Sequence, residues 1–152
     1  MSLSRVASKG QAARPVQLLL VLALMPCFSQ GSEPHLTPAL WTDTATKLTW
    51  TAKDNGSGLS WTQALRYCRE LSLGGFKDWT LPSIDDLQGI FDKAQNDGGF
   101  HVRGPIHMTG WQWSSTPGSQ KGEGWAFDFG DRGRASVYAG DSGLNRALCV
   151  RR

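Results

Sequence analysis

The sequence predicts an α+β domain in which two amphipathic helices come first and strands fill the last third. Three observations carry this. Ser60 with Gln63, and Ser83 with Asp86, each form a capping box that opens an apolar run at helical spacing. Between those runs, residues 74–83 (GGFKDWTLPS) form a corner: paired glycines accept the left-handed conformation that closes a helix, Pro82 forces Leu81 out of helical geometry, and Ser83 caps the next helix. From residue 111 onward, apolar and polar residues alternate with the period of two that marks half-buried strands.

Ahead of these elements stands a targeting segment. Arg5, Lys9 and Arg14 precede an apolar run at 16–24, and Ser29-Gln30-Gly31 offers small residues to a peptidase, so residues 1–31 read as a signal peptide cut after Gly31. The run is shorter than the about 20 residues a permanent span needs, and no later segment is expected to cross a membrane. A lipid-anchored variant of the signal would use Cys27, with Pro26 standing where a small residue is wanted. Residues 32–40, which hold Pro34 and Pro38, form an extended lead-in, and residues 41–152 form one domain. The expected location is the periplasm, or outside the cell and on its surface.

Removing the signal alters the charge. The chain has 16 Lys+Arg and 13 Asp+Glu; Arg5, Lys9 and Arg14 leave with the signal while every acid lies after Gly31, so 13 bases face 13 acids. A neutral domain lacks the basic face that nucleic acid requires, so no nucleic-acid partner is expected. Cys27 also leaves. Cys68 and Cys149 remain as an even pair in an oxidising compartment and are expected to be bonded, contributing roughly 4 kcal/mol by closing a long loop. Two free thiols, or a catalytic pair, are the alternative.

The elements follow in order. Leu48 and Trp50 alternate with Lys47, Thr49 and Thr51 as a short half-buried strand. Residues 54–58 are a turn cluster, in which Asn55-Gly56-Ser57 matches the glycan acceptor pattern of a eukaryotic secretory route. Trp61, Ala64, Leu65, Cys68 and Leu71 make the buried stripe of the first helix, with Arg66, Arg69 and Glu70 in solvent. Phe76, Trp79 and Leu81 are too much apolar surface for an exposed loop, so the corner is expected to be buried between helices and a sheet. Ile84, Leu87, Ile90, Phe91 and Ala94 make the second helical stripe. Asp85 and Asp86 lie in its first turn, where the helix dipole favours negative charge, and are read as helix-start acids rather than as a catalytic pair.

Residues 95–110 form a long loop carrying His101 and His107, with His35 in the lead-in; three scattered histidines show no metal-ligand spacing. Strands follow at 111–116 and 125–129, the second with three aromatics on one face, then a turn at 130–134 and a returning strand at 135–139. The last strand, 147–151, carries Cys149 and would be stapled to the first helix.

Five stretches, in this order, resemble the Legionella collagen-like protein C-terminal domain family: residues 46–50, Trp61 to Ala64 with Tyr67-Cys68, residues 75–83 with Asp86-Leu87, residues 113–116, and Cys149-Val150-Arg151. The resemblance covers nearly all of the mature chain. It implies a C-type-lectin-like fold, related to the formylglycine-generating sulfatase-modifying enzymes: two helices flanking a small twisted antiparallel sheet, termini close together, and one helix-to-last-strand disulfide. Members of the family are bacterial, exported and mostly uncharacterised, and one resembles an adhesin for sulfated polysaccharide. The chain departs from the family pattern at Lys47, where glycine is usual, and at Thr80 and Leu148, where arginine is usual.

The function expected is therefore a non-catalytic binding domain, with anionic or sulfated polysaccharide as partner. From residue 121 on, six bases (Lys121, Arg132, Arg134, Arg146, Arg151, Arg152) face four acids (Glu123, Asp128, Asp131, Asp141). Arg132 and Arg134 at the hairpin turn would fork onto sulfate or carboxylate, and an exposed Trp111 or Tyr138 would stack on a sugar ring. About five of the seven Trp are expected in the core. Calcium-lectin signatures (Glu-Pro-Asn, Trp-Asn-Asp) are missing, so no metal and no cofactor is expected. Sulfatase-modifying chemistry would need cysteines beyond Cys68 and Cys149, so no catalytic residue is assigned and no enzyme is expected. The alternative is a structural or interaction module whose partner is an envelope protein.

Overall fold

A computed structural model describes residues 38–152. The signal peptide, Cys27, His35 and most of the lead-in lie outside the described residues. Nine elements follow in order: β1 (Leu40–Thr42), β2 (Thr49–Thr51), α1 (Trp61–Glu70), α2 (Ile84–Gly89), β3 (Trp111–Pro117), β4 (Glu123–Asp128), β5 (Gly133–Tyr138), β6 (Asn145–Arg146) and β7 (Val150–Arg151). Both helices begin on the capping boxes read from the sequence: Ser60 Oγ accepts from the Gln63 N–H, and Ser83 Oγ from the Asp86 N–H. Strand β1 starts at Leu40, inside the stretch read as lead-in. Three residues are too few to show alternation.

The strands form two sheets rather than one antiparallel sheet. One is three-stranded, ordered β1-β2-β7; the other is four-stranded, ordered β5-β4-β3-β6. All pairs are antiparallel except β3 with β6, which run parallel. The expected last strand is split because residues 147–149 are held by other groups. Asn55 Oδ1 accepts from the Ala147 N–H at 2.7 Å, and Thr51 Oγ1 accepts from the Cys149 N–H at 3.2 Å. The chain therefore leaves β3 at Arg146 and joins β2 at Val150, so β1 and β7 flank β2.

Alternation along the four-stranded sheet sends its two faces to two cores. Trp113 and its partner Ala126 face α1, packing with Ala64, Cys68, Trp79 and Leu81. Phe127 faces the other way, packing with Phe129 and with Ile84, Leu87 and Ile90 of the α2 segment. The Cys68–Cys149 disulfide lies in the first of these cores, with both residues fully buried.

The corner differs in detail from its sequence reading. Helix α1 ends at Glu70, with Leu71 already extended. Gly74 and Gly75 (φ +64° and +82°) instead form a two-residue hairpin turn, in which Leu73 and Phe76 exchange backbone hydrogen bonds at 3.1 Å. Trp79 and Leu81 are buried as expected, but Phe76 is 38% exposed, its ring covered by the Arg151 guanidinium at 3.8 Å rather than by the core. Thr80 and Val150 bond each other through N–H and C=O at 2.8 and 2.9 Å, while Pro82 C=O accepts from Ser115 N–H at 2.7 Å. The corner thus ties the two sheets together.

Helix α2 is shorter than its apolar stripe. It stops at Gly89, and residues 90–92 turn to pair with 101–103: Arg103 N–H donates to Ile90 C=O, and Asp92 N–H to His101 C=O. Residues 95–110 are thereby strapped down, with Val102, Ile106 and Met108 buried. Ala94 is exposed. Of the seven Trp, only Trp50, Trp79 and Trp113 are buried; Trp41, Trp61, Trp111 and Trp125 are half-buried, fewer in the core than expected.

Candidate functional site

The tip of the β4–β5 hairpin is the centre of the candidate site. Asp128 and Asp131 shape it, each accepting from a backbone N–H two residues on, at 2.8 Å (Gly130) and 2.7 Å (Gly133). Arg132 sits at φ +65°, in the left-handed region, so the chain turns sharply there. Its guanidinium lies 5.7 Å from the centroid of the Phe91 ring. Phe91, Lys93, His101, Gly130, Asp131 and Arg132 line a cleft of about 500 Å³. His101 Nδ1 is bonded to the Gln95 carbonyl; since a carbonyl only accepts, Nδ1 carries the hydrogen. The cleft therefore gathers two fixed cations and an imidazole around one aromatic ring, with one acid, Asp131, whose Oδ1 is engaged in its own turn.

A strip continues from the cleft along β5. Phe91 leans edge-on against Phe127 (6.2 Å), and Phe127 is the register partner of Arg134, so cleft and strip share a face of the sheet. Arg134, Ser136 and Tyr138 alternate onto that face. Trp125, partner of Ser136, lies between Arg134 and Tyr138, with the Arg134 guanidinium 5.5 Å from its ring centroid. Arg134 to Tyr138 spans on the order of 13 Å of extended strand. Tyr138 is 71% exposed.

The four residues named from the sequence thus divide. Arg132, Arg134 and Tyr138 come to one face, whereas Trp111 belongs with Trp113 on the opposite face, half-buried against the α1 core. Trp125 takes the place that Trp111 was expected to fill. Lys93, His101 and Phe91 were missed, because only the pairing of residues 90–92 with 101–103 brings them to the hairpin tip. Arg134, read from the sequence as part of the turn, lies on β5, and its alternation with Ser136 and Tyr138 is the signal that points to the strip.

Other charged groups are structural. Asp43 is buried beside Arg103 (2.8 Å); burial opposes its ionisation, but hydrogen bonds from Thr46, the Ala45 N–H and Arg103 outweigh it and hold the carboxyl below its ordinary value of 3.8. Asp54 is buried and accepts from Gly56 N–H, Thr109 N–H and Gln112 Nε2 at 2.9, 2.7 and 2.9 Å, joining the turn after β2 to the start of β3. Asp78 binds Arg151 through two hydrogen bonds of 2.9 and 2.8 Å, which lower its pKa. Asp86 accepts from the Ser83 N–H and pairs with Arg152 at 2.7 Å, as suits an acid in the first helical turn. Among the described residues, no three His, Cys, Asp or Glu side chains gather as a metal site, and no helix is long and apolar enough to cross a membrane.

Two helices on opposite faces of a mixed sheet, with the first tied to the chain's end by a buried disulfide, define a small disulfide-tied α+β domain. The family profile of the Lcl C-terminal domain matches residues 39–151, and the chain belongs to that family. No curated protein matches closely enough to count as a relative.

Proposed function

We propose that this chain is an exported, non-catalytic binding domain that recognises anionic or sulfated polysaccharide at the cell envelope or surface, on a C-type-lectin-like fold. One observation carries the reading: Lys93, Arg132 and His101 converge on a cleft that leads into the Arg134–Trp125–Tyr138 strip. Guanidinium forks suit sulfate and carboxylate, and an aromatic ring flanked by cations suits the apolar face of a charged sugar. The buried Cys68–Cys149 bond supports an oxidising compartment and leaves no free thiol among the described residues for cysteine-based catalysis.

Retention of the mature domain on immobilised heparin tests the reading. Elution at raised salt is expected, shifting to lower salt in Arg132→Ala plus Arg134→Ala and in Trp125→Ala, with thermal unfolding of each variant as the fold control. Elution at low salt, unchanged by the arginine pair, ends the polysaccharide reading.

A further inference from the structure

A second cleft, also of about 500 Å³, opens between the end of β2 and α1. It shares no lining residue with the first. Its wall is mostly apolar: Pro38 and Ala39 ahead of β1, Ala52 after β2, and Tyr67, Leu71 and Leu73 from α1 and the chain just beyond it. Tyr67 and Leu71 stand one helical turn apart, which places them on one side of the helix. A volume of this size lies within the small-molecule range of roughly 300–1,000 Å³.

The polar groups at this cleft are few and unequal. Asp54 lines it but is already committed to Gly56, Thr109 and Gln112, so it has little left to offer a ligand. The phenol of Tyr67 resists ionisation, because burial withholds water and the Asp54 charge opposes a second anion; it remains a neutral hydrogen-bond donor. Lys53 and His107 are partners in a parallel β-bridge, so their side chains stand side by side at the cleft. His107 meets Asp97 at 3.3 Å, whereas Lys53 is in none of the ion pairs of the described residues.

We propose that this cleft binds a small amphipathic carboxylate, its apolar tail among Tyr67, Leu71, Leu73 and Ala52 and its carboxylate on the Lys53 ammonium. The apolar wall supplies affinity without direction. Lys53, outside every ion pair of the described residues, sets the polarity of the ligand: its ammonium attracts an anionic head and repels a cationic one, while the Asp54 charge is offset by the donors it already accepts from.

The test is titration of the mature protein with decanoate and with decanol, followed by NMR shifts of the Tyr67 and Leu73 resonances. Saturable binding of both at one site is expected. Lys53→Glu, which removes the attraction and puts a like charge beside the carboxylate, should weaken decanoate roughly fivefold to tenfold and leave decanol within about twofold. Leu73→Trp, which fills the cleft, should weaken both. Absence of saturable binding to the native protein, as when another part of the chain fills the cleft, overturns the proposal. So does a decanoate affinity that Lys53→Glu leaves unchanged.

Discussion

Replacing Lys47 by glycine should stabilise the domain, and the size of the gain follows from one backbone angle. Lys47 ends the turn between β1 and β2 at φ +64°, with its N–H donating to Asp43 C=O at 2.8 Å. In this left-handed conformation a Cβ crowds the following carbonyl, at a cost of about 1–2 kcal/mol. Glycine removes the crowding but loses about 0.5–1 kcal/mol more chain entropy on folding. The lysine side chain is exposed and outside every ion pair of the described residues, so little else changes. The net gain for Lys47→Gly is about 0.5–1 kcal/mol, or roughly 2–4 °C in unfolding midpoint for a domain of this size. Urea unfolding of the disulfide-intact protein, read by tryptophan fluorescence, measures it, with the denaturant slope unchanged. Lys47→Ala keeps the Cβ and should gain nothing. A glycine variant no more stable than the native chain, or an alanine variant equally stabilised, would refute the backbone argument.

Two further predictions concern stability. Cys68→Ala with Cys149→Ala opens a loop of sequence separation 81, which should cost about 4.5 kcal/mol by the chain-entropy relation. Urea unfolding of the double variant measures this, and a loss below about 1 kcal/mol contradicts it. Asp43 gives a pH signature. Its folded pKa lies below the ordinary 3.8, so its stabilising effect is complete above that value and is lost as pH falls through the folded one. Native protein should therefore lose stability below about pH 4 more steeply than Asp43→Asn, and parallel curves for the two proteins would count against it.

Much of the fold is legible where the controlling contacts are local. Ser60 with Gln63 and Ser83 with Asp86 announce helix starts because a capping box is closed within four residues. Cys68 lies on the inward stripe of α1 because the helical period puts it there, and its expected bond to Cys149 is present in the structure. Phe76 shows the limit. Its ring was expected to be buried, but Arg151, 75 positions along the sequence, provides the cover and leaves an edge in water. Trp111 and Trp125 show it too. Both alternate on strands, and only the register of β3, β4 and β5 decides that Trp111 turns to the α1 core while Trp125 joins the arginines.

By itself the sequence determined the places where helices begin, the period of the strands, the placing of Cys68 on an inward helical face and the basic hairpin turn, because each rests on residues a few positions apart. The tertiary structure alone decided that α2 stops at Gly89, that the closing segment divides between two sheets, and that Lys93 and His101 line one cleft with Arg132. Those outcomes depend on backbone groups finding partners far along the chain, such as Ile90 with Arg103 and Asn55 with Ala147. A buried N–H or C=O must be paired, and which distant group pairs it is settled only when the whole core closes.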